Sequence, residues 1–203
     1  MLRRFATDPS LWILLLINFY CIYYYEKNPD NFDTIVWLYW GQSALIGLFN
    51  FLDILTVKDI IPGSMSFNHQ PIQNNKGGKG CAAFFFLFHY GFFHFVYLIF
   101  IVVQTKKLGS IDFGFILLGL AALCLDLIIV FMRHKREQQV RASNIGTMFF
   151  LPYLRIIPMH LMILGPAFLN WRASTIFLIL KTFADIITYL ITSRLQRKPM
   201  SIQ

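Results

Sequence analysis

Residues 84–97 read Phe-Phe-Phe-Leu-Phe-His-Tyr-Gly-Phe-Phe-His-Phe-Val-Tyr. With its flanks, from Cys81 to Gln104, this run reaches the ~20 apolar residues that a bilayer core requires. It also carries two imidazoles, His89 and His94. An unpartnered polar side chain in hydrocarbon costs on the order of several kcal/mol. The remainder of the chain therefore has to supply groups that meet these histidines.

The surrounding composition agrees with a membrane setting. The 203 residues are 57% hydrophobic and only 14% charged, with 22 Phe, far from an ordinary soluble domain. The implied partner is the lipid bilayer. Cys21, Cys81 and Cys124 lie inside apolar runs and form no CxxC pair, so neither a disulfide framework nor a thiolate metal site is indicated. The net charge of +8 is spread over short loops rather than gathered on one soluble face, which argues against nucleic acid as a partner.

Outward from the Phe-rich run, the chain reads as one all-α domain over 1–203, a polytopic transmembrane bundle of six helices. The expected helices are about 10–25, 35–56, 81–104, 113–132, 148–169 and 173–193. Arg3 and Arg4 precede the first, but no small-residue cleavage site follows it, so it reads as a retained helix. Residues 57–80 read as a flexible polar loop. Its Lys79 is followed by Gly80 and a membrane span, not by the Ser or Thr of a phosphate-binding loop. Residues 133–147 read as a basic connector.

With the N-terminus inside, alternation places Arg3, Arg4, Lys58, Lys76, Lys79, Arg133, Lys135, Arg136, Arg141, Arg194, Arg197 and Lys198 on the cytoplasmic side. Only Lys27, Lys106, Lys107 and Arg172 fall opposite, a positive-inside bias that predicts cytoplasmic termini.

Counting about 1.5 Å per residue from the cytoplasmic ends sorts the intramembrane polar groups into two layers. The upper holds Gln42, His94, His160 and Lys181; the lower holds His89, Arg155 and Asp185. On the last helix Ser174, Lys181, Asp185, Thr188 and Thr192 form a stripe within about 60°, and Tyr39, Gln42, Asn50 and Asp53 form another within about 80° on the second. Asp53, near the boundary, is expected to be solvated. His89 and His94 lie about 140° apart, so they look toward different neighbours unless a π-bulge intervenes at Gly91.

These positions also carry a resemblance. Tyr39-Trp40-x-Gln42 with Ile46-Gly47 and Asn50, His89-Tyr90-Gly91 with Phe93 and His94, Pro152-Tyr153-x-Arg155 with His160 and Gly165, and Lys181 with Asp185 are similar to a family of small bacterial and archaeal integral membrane proteins of unknown function. The likeness spans residues 36–185. It implies the six-helix fold, a prokaryotic cytoplasmic membrane and a set of polar positions, but no activity. It also implies a Glu where Gln42 stands, so this chain lacks an ionisable group there.

Three functions fit these residues. In a membrane-embedded enzyme or ligand-binding protein, His89, His94, His160 and Asp185 are candidate catalytic groups, and Tyr39, Gln42, Asn50, Arg155 and Lys181 candidate ligand contacts. His94 and His160 would then hold a divalent metal ion, or a haem as axial ligands. A proton- or ion-coupled transporter would use the same residues as a relay, with a homodimer supplying symmetry. A structural subunit, binding a small membrane-protein partner, would use them as interhelical glue.

Overall fold

In a chain this apolar, the backbone amides have to be satisfied within each segment, and helices do that. A computed structural model describes residues 9–104, 111–154, 156–157 and 175–197. These form α1 (Pro9–Lys27), a 3-10 turn (Pro29–Asn31), α2 (Phe32–Leu55), α3 (Lys76–Gln104), α4 (Phe113–Glu137), α5 (Ile145–Phe150) and α6 (Thr175–Arg197). A small hairpin, β1 (Ser66–Phe67) and β2 (Gln70–Pro71), lies between α2 and α3.

Among the described residues, three stretches are long and apolar enough to cross a membrane: Pro29–Leu55, Lys76–Val103 and Phe113–Glu137. Their outer faces suit lipid. Phe84, Phe88, Phe92 and Phe95 point out from α3, with Phe88 78% exposed, as do Leu117, Leu118 and Leu125 from α4.

The helix α2 is the centre of the bundle, packed against α3 and α4, while α1 packs against α4 and α6. Small residues permit these contacts. A Cβ at Gly47 would overlap the Tyr90 ring of α3, and one at Gly119 of α4 would stand 2.8 Å from Leu38. Apolar side chains fill two cores. Ile54, Ala82, Ala83, Phe86, Tyr90 and Ile145 centre one between α2, α3 and α5; Cys21, Ile35, Leu38, Phe115 and Leu178 centre the other between α1, α2, α4 and α6.

Cross-links at the two ends set the helix directions. Near the start of α2 and α4, Asp112 caps α4 by accepting from Phe115 N at 2.9 Å, and its own N–H donates to Thr34 Oγ1 at 3.1 Å. Near their other ends, Asp53 of α2 meets His134 and Lys135 of α4. These two helices are therefore parallel, and α6 runs the same way, since Leu178 packs beside Ile35 and Leu38 while Lys181 reaches Gln42.

Several boundaries differ from the sequence expectation. The helix expected from Cys81 begins at Lys76, because the Asn75 side chain accepts from Gly78 N at 2.7 Å and caps it. Gly78 is required there: a Cβ would overlap the Gln73 carbonyl. The loop before it is ordered by a hairpin with positive φ at Asn68 and His69 and by bonds to residue 143, Ile61 N to Ser143 O at 2.9 Å and Ser143 N to Asp59 O at 2.8 Å. The first residues of the basic connector, 133–137, are helical, since α4 continues to Glu137. The helix expected from 148 starts at Ile145, capped by Asn144, and is interrupted after Phe150 at Leu151 and Pro152, which has no N–H; residues 153–154 and 156–157 are helical again. Residue 155 and residues 158–174, and with them Arg155 and His160, lie outside the described residues.

Candidate functional site

Polar side chains from three helices meet between α1, α2 and α6. On α6, Lys181 and Asp185 stand one turn apart, which brings Nζ within 2.7 Å of Oδ2. Lys181 also donates to Asn18 Oδ1 at 2.9 Å and, more weakly, to Gln42 Oε1 at 3.4 Å. Asn18 Nδ2 in turn donates to Asp185 Oδ2 at 3.2 Å and to the Leu14 carbonyl at 2.9 Å. The ammonium group lies 4.1 Å from the centre of the Tyr39 ring, so the aromatic face adds to its stabilisation.

This network is saturated except on one side. Lysine only donates, so the Gln42 atom that faces it is the amide oxygen, and the amide nitrogen points elsewhere. That nitrogen is buried and has no hydrogen-bond partner among the described residues, whereas the Tyr39 hydroxyl, also buried, faces the Cys21 thiol. Both residues line a small cavity of about 40 Å³ shared with Asn18, Ser43, Lys181 and Asp185. Such a volume holds roughly three water-sized groups. The open position in its wall is the Gln42 N–H donor, which an accepting group would satisfy.

Behind Ser43 lies a second layer of polar contacts. His94 Nδ1 is 3.0 Å from the Tyr90 carbonyl, and Nε2 is 2.9 Å from Ser43 Oγ. A carbonyl accepts only, so in the neutral ring Nδ1 carries the proton and Nε2 accepts from the Ser43 hydroxyl. The Tyr90 hydroxyl lies 2.9 Å from Ser43 Oγ and donates to the Ser43 carbonyl at 3.1 Å. Trp40 Nε1 donates to the His94 carbonyl at 3.0 Å and fixes that turn of α3.

The sequence-derived candidates are thus distributed over several environments. Tyr39, Gln42, Lys181 and Asp185 come together. His94 reaches them through Ser43 and does not line the cavity. His89 is on a different face: it is exposed, shares a 2.7 Å hydrogen bond with Tyr153 and stacks near Phe85. The depth it was expected to share with Asp185 does not bring the two together, since equal depth does not fix rotation about the helix axis. Asn50, beyond Ile46 on α2, does not line the cavity, and its buried Nδ2 has no partner among the described residues. Asp53 is buried rather than solvated, held by Lys135 at 2.7 Å, His134 at 3.1 Å and Gln138 at 3.0 Å.

Two site residues escaped the sequence reading. Asn18 is the one amide in the apolar run Leu11–Tyr25, and that isolation is a signal. Ser43 offers none, because its partner His94 is 51 residues away and a lone hydroxyl is ordinary in an apolar helix. Among the described residues, no three His, Cys, Asp or Glu side chains come together to hold a metal ion. Both His94 ring nitrogens are already engaged, so a metal there would have to displace Ser43.

Comparison with known families matches the chain over residues 1–201 to a family of unknown function, DUF6498. The chain belongs to this family. The match covers every element described above, α1 and Asn18 included, and is wider than the stretch that carried the resemblance. No curated protein and no solved structure matches the chain. The chemistry of this DUF6498 member therefore has to be argued from its own site.

Proposed function

We propose that this protein is a multi-pass cell-membrane protein with six spans and cytoplasmic termini that binds a small polar ligand at Asn18, Tyr39, Gln42, Lys181 and Asp185. The observation that carries the reading is the Gln42 amide nitrogen, buried beside a cavity with no acceptor among the described residues. A donor left open in an apolar bundle is destabilising by about 1–3 kcal/mol, and a ligand that accepts from it relieves that. The ammonium of Lys181 occupies the place that a divalent cation would need, so the ligand is neutral or anionic. Six spans are supported by the parallel course of α4 and α6, which requires an odd number of crossings between them.

The competing reading, interhelical glue, is favoured by the mutual neutralisation of Lys181 and Asp185 at 2.7 Å. Stability separates the two. A site kept for binding is replaced by apolar packing with little loss, since buried ion pairs contribute weakly to net stability. The double variant Lys181→Met/Asp185→Leu is expected to fold and to melt in detergent within a few degrees of the parent, or above it. A fall of ten degrees or more would assign the cluster to structure and overturn the binding reading.

A further inference from the structure

The end of the bundle where α2 stops and α3 begins carries positive charge that its neighbours leave open. Lys58 lies just past α2, and Lys76 and Lys79 stand in the first turn of α3. The Lys79 ammonium donates to the Lys58 carbonyl, which draws the two segments together and uses one of its three N–H groups. Lys58 and Lys76 are exposed, and among the described residues their ammonium groups meet no acceptor. Asp59, next to Lys58 in the chain, accepts instead from Asn74 Nδ2 at 3.1 Å. The bond from Ser143 N to Asp59 O brings exposed Arg141 to the same end. Like charges gathered in this way repel, and a bound anion offsets the repulsion.

The surface beside the lysines says which anion. By 100° steps, Lys76, Phe84 and Leu87 fall on one face of α3 within about 80°. Phe84 and Leu87 are exposed, as are Leu48, Leu52 and Leu55 of α2, which follow one another at i, i+4 and i+7. The Phe51 and Phe84 rings meet at 5.5 Å between centroids, so the two apolar faces adjoin. In a spanning bundle these faces meet acyl chains, and the lysines stand where the apolar faces end, at the level of the headgroups. A soluble phosphate would use the lysines alone. A ligand with an anionic head and hydrocarbon chains matches both parts.

We infer that Lys58, Lys76 and Lys79 hold the phosphate of an anionic phospholipid whose acyl chains lie on Phe84 and Leu87 of α3 and on Leu52 and Leu55 of α2. The site is separate from the cavity at Gln42 and does not depend on what that cavity binds. It also holds for either orientation of the bundle. A phosphatidylcholine headgroup brings its own ammonium to the lysines, so the site discriminates against it.

The test uses the full chain in dodecyl maltoside micelles, at about 0.15 M salt so that distant charges are screened. Dioctanoyl phosphatidylglycerol or dioctanoyl phosphatidylcholine is added, and native mass spectrometry reads the fraction of protein that retains a lipid. Wild type is expected to bind the anionic lipid at least about tenfold more tightly. Lys58→Gln and Lys76→Gln are each expected to weaken it about fivefold and to leave phosphatidylcholine unchanged. Both side chains are exposed, so both variants are expected to keep the parent melting temperature. Arg136→Gln removes an exposed charge from α4 at the same end and is expected to change binding less than about twofold. Equal binding of the two lipids by wild type overturns the inference. So does a loss in Arg136→Gln as large as in the lysine variants, because a diffuse field would then account for the preference. Glycerol 3-phosphate, the phosphate without chains, is expected not to be retained; retention as tight as that of the lipid would overturn the lipid assignment.

Discussion

At the scale of single residues, Gly47 is the support on which the Ser43–His94 contact rests. A Cβ there would overlap the edge of the Tyr90 ring, and Tyr90 carries both the carbonyl that orients His94 and the hydroxyl that meets Ser43. Gly47→Ala is expected to destabilise the protein by about 1–3 kcal/mol, the usual cost of overpacking. Gly91 is the control, because nothing lies within 4 Å of its added Cβ. Gly91→Ala should leave stability unchanged or raise it by up to about 1 kcal/mol through helix propensity. Thermal melts of both variants in one detergent make the comparison, and an equal loss in both would refute the role of Gly47. Residue-level chemistry was only partly legible in the sequence. Counting depth placed Gln42 and Lys181 at one level, and the two do touch. Depth is one coordinate, however, and the rotation that sends His94 to Ser43 and His89 to Tyr153 is set by how glycines let helices approach.

At the scale of elements, the clearest departure from the sequence is the end of α4. Its basic residues were legible as an orientation signal, but not as the three-sided clamp on Asp53, whose partners lie 81 to 85 residues away. Three donors on one carboxylate tie the ends of two parallel helices together. Asp53→Ala would leave Lys135 and Gln138 without this acceptor, and the loss is expected to be about 2–3 kcal/mol, less than for a fully buried pair because His134 and Lys135 remain partly exposed. Asp53→Asn retains an oxygen acceptor and should lose about half as much. A melt of Asp53→Ala within a degree of the parent would show that packing alone holds these ends. The start of α3 was hidden for another reason. Glycine is a poor helix former, so Lys76–Gly80 reads as loop, while the Asn75 cap and the close approach of Gln73 make it the first turn.

At the scale of the whole molecule, the apolar lengths made the all-helical class legible from composition, because in lipid each segment has to satisfy its own backbone. Chain direction needed the cross-links. The bond from Ile61 N to Ser143 O joins the segment after α2 to the segment after α4, so both lie at one end of the bundle, whatever its orientation. Lys58, Lys76, Lys79, Arg133, Lys135, Arg136 and Arg141 share that end, and the proposed orientation, which rests on this excess of positive charge, puts it inside. Single cysteines test both statements in a background with Cys81→Ser and Cys124→Ala, Cys21 being fully buried. In sealed right-side-out vesicles, Gln70→Cys and Val140→Cys are expected to resist a charged, membrane-impermeant maleimide until the vesicles are opened. Glu26→Cys, at the end of α1, should react at once. If Gln70→Cys and Val140→Cys react from opposite sides, the chain path is wrong; if both react from outside and Glu26→Cys does not, the path stands and the orientation is reversed.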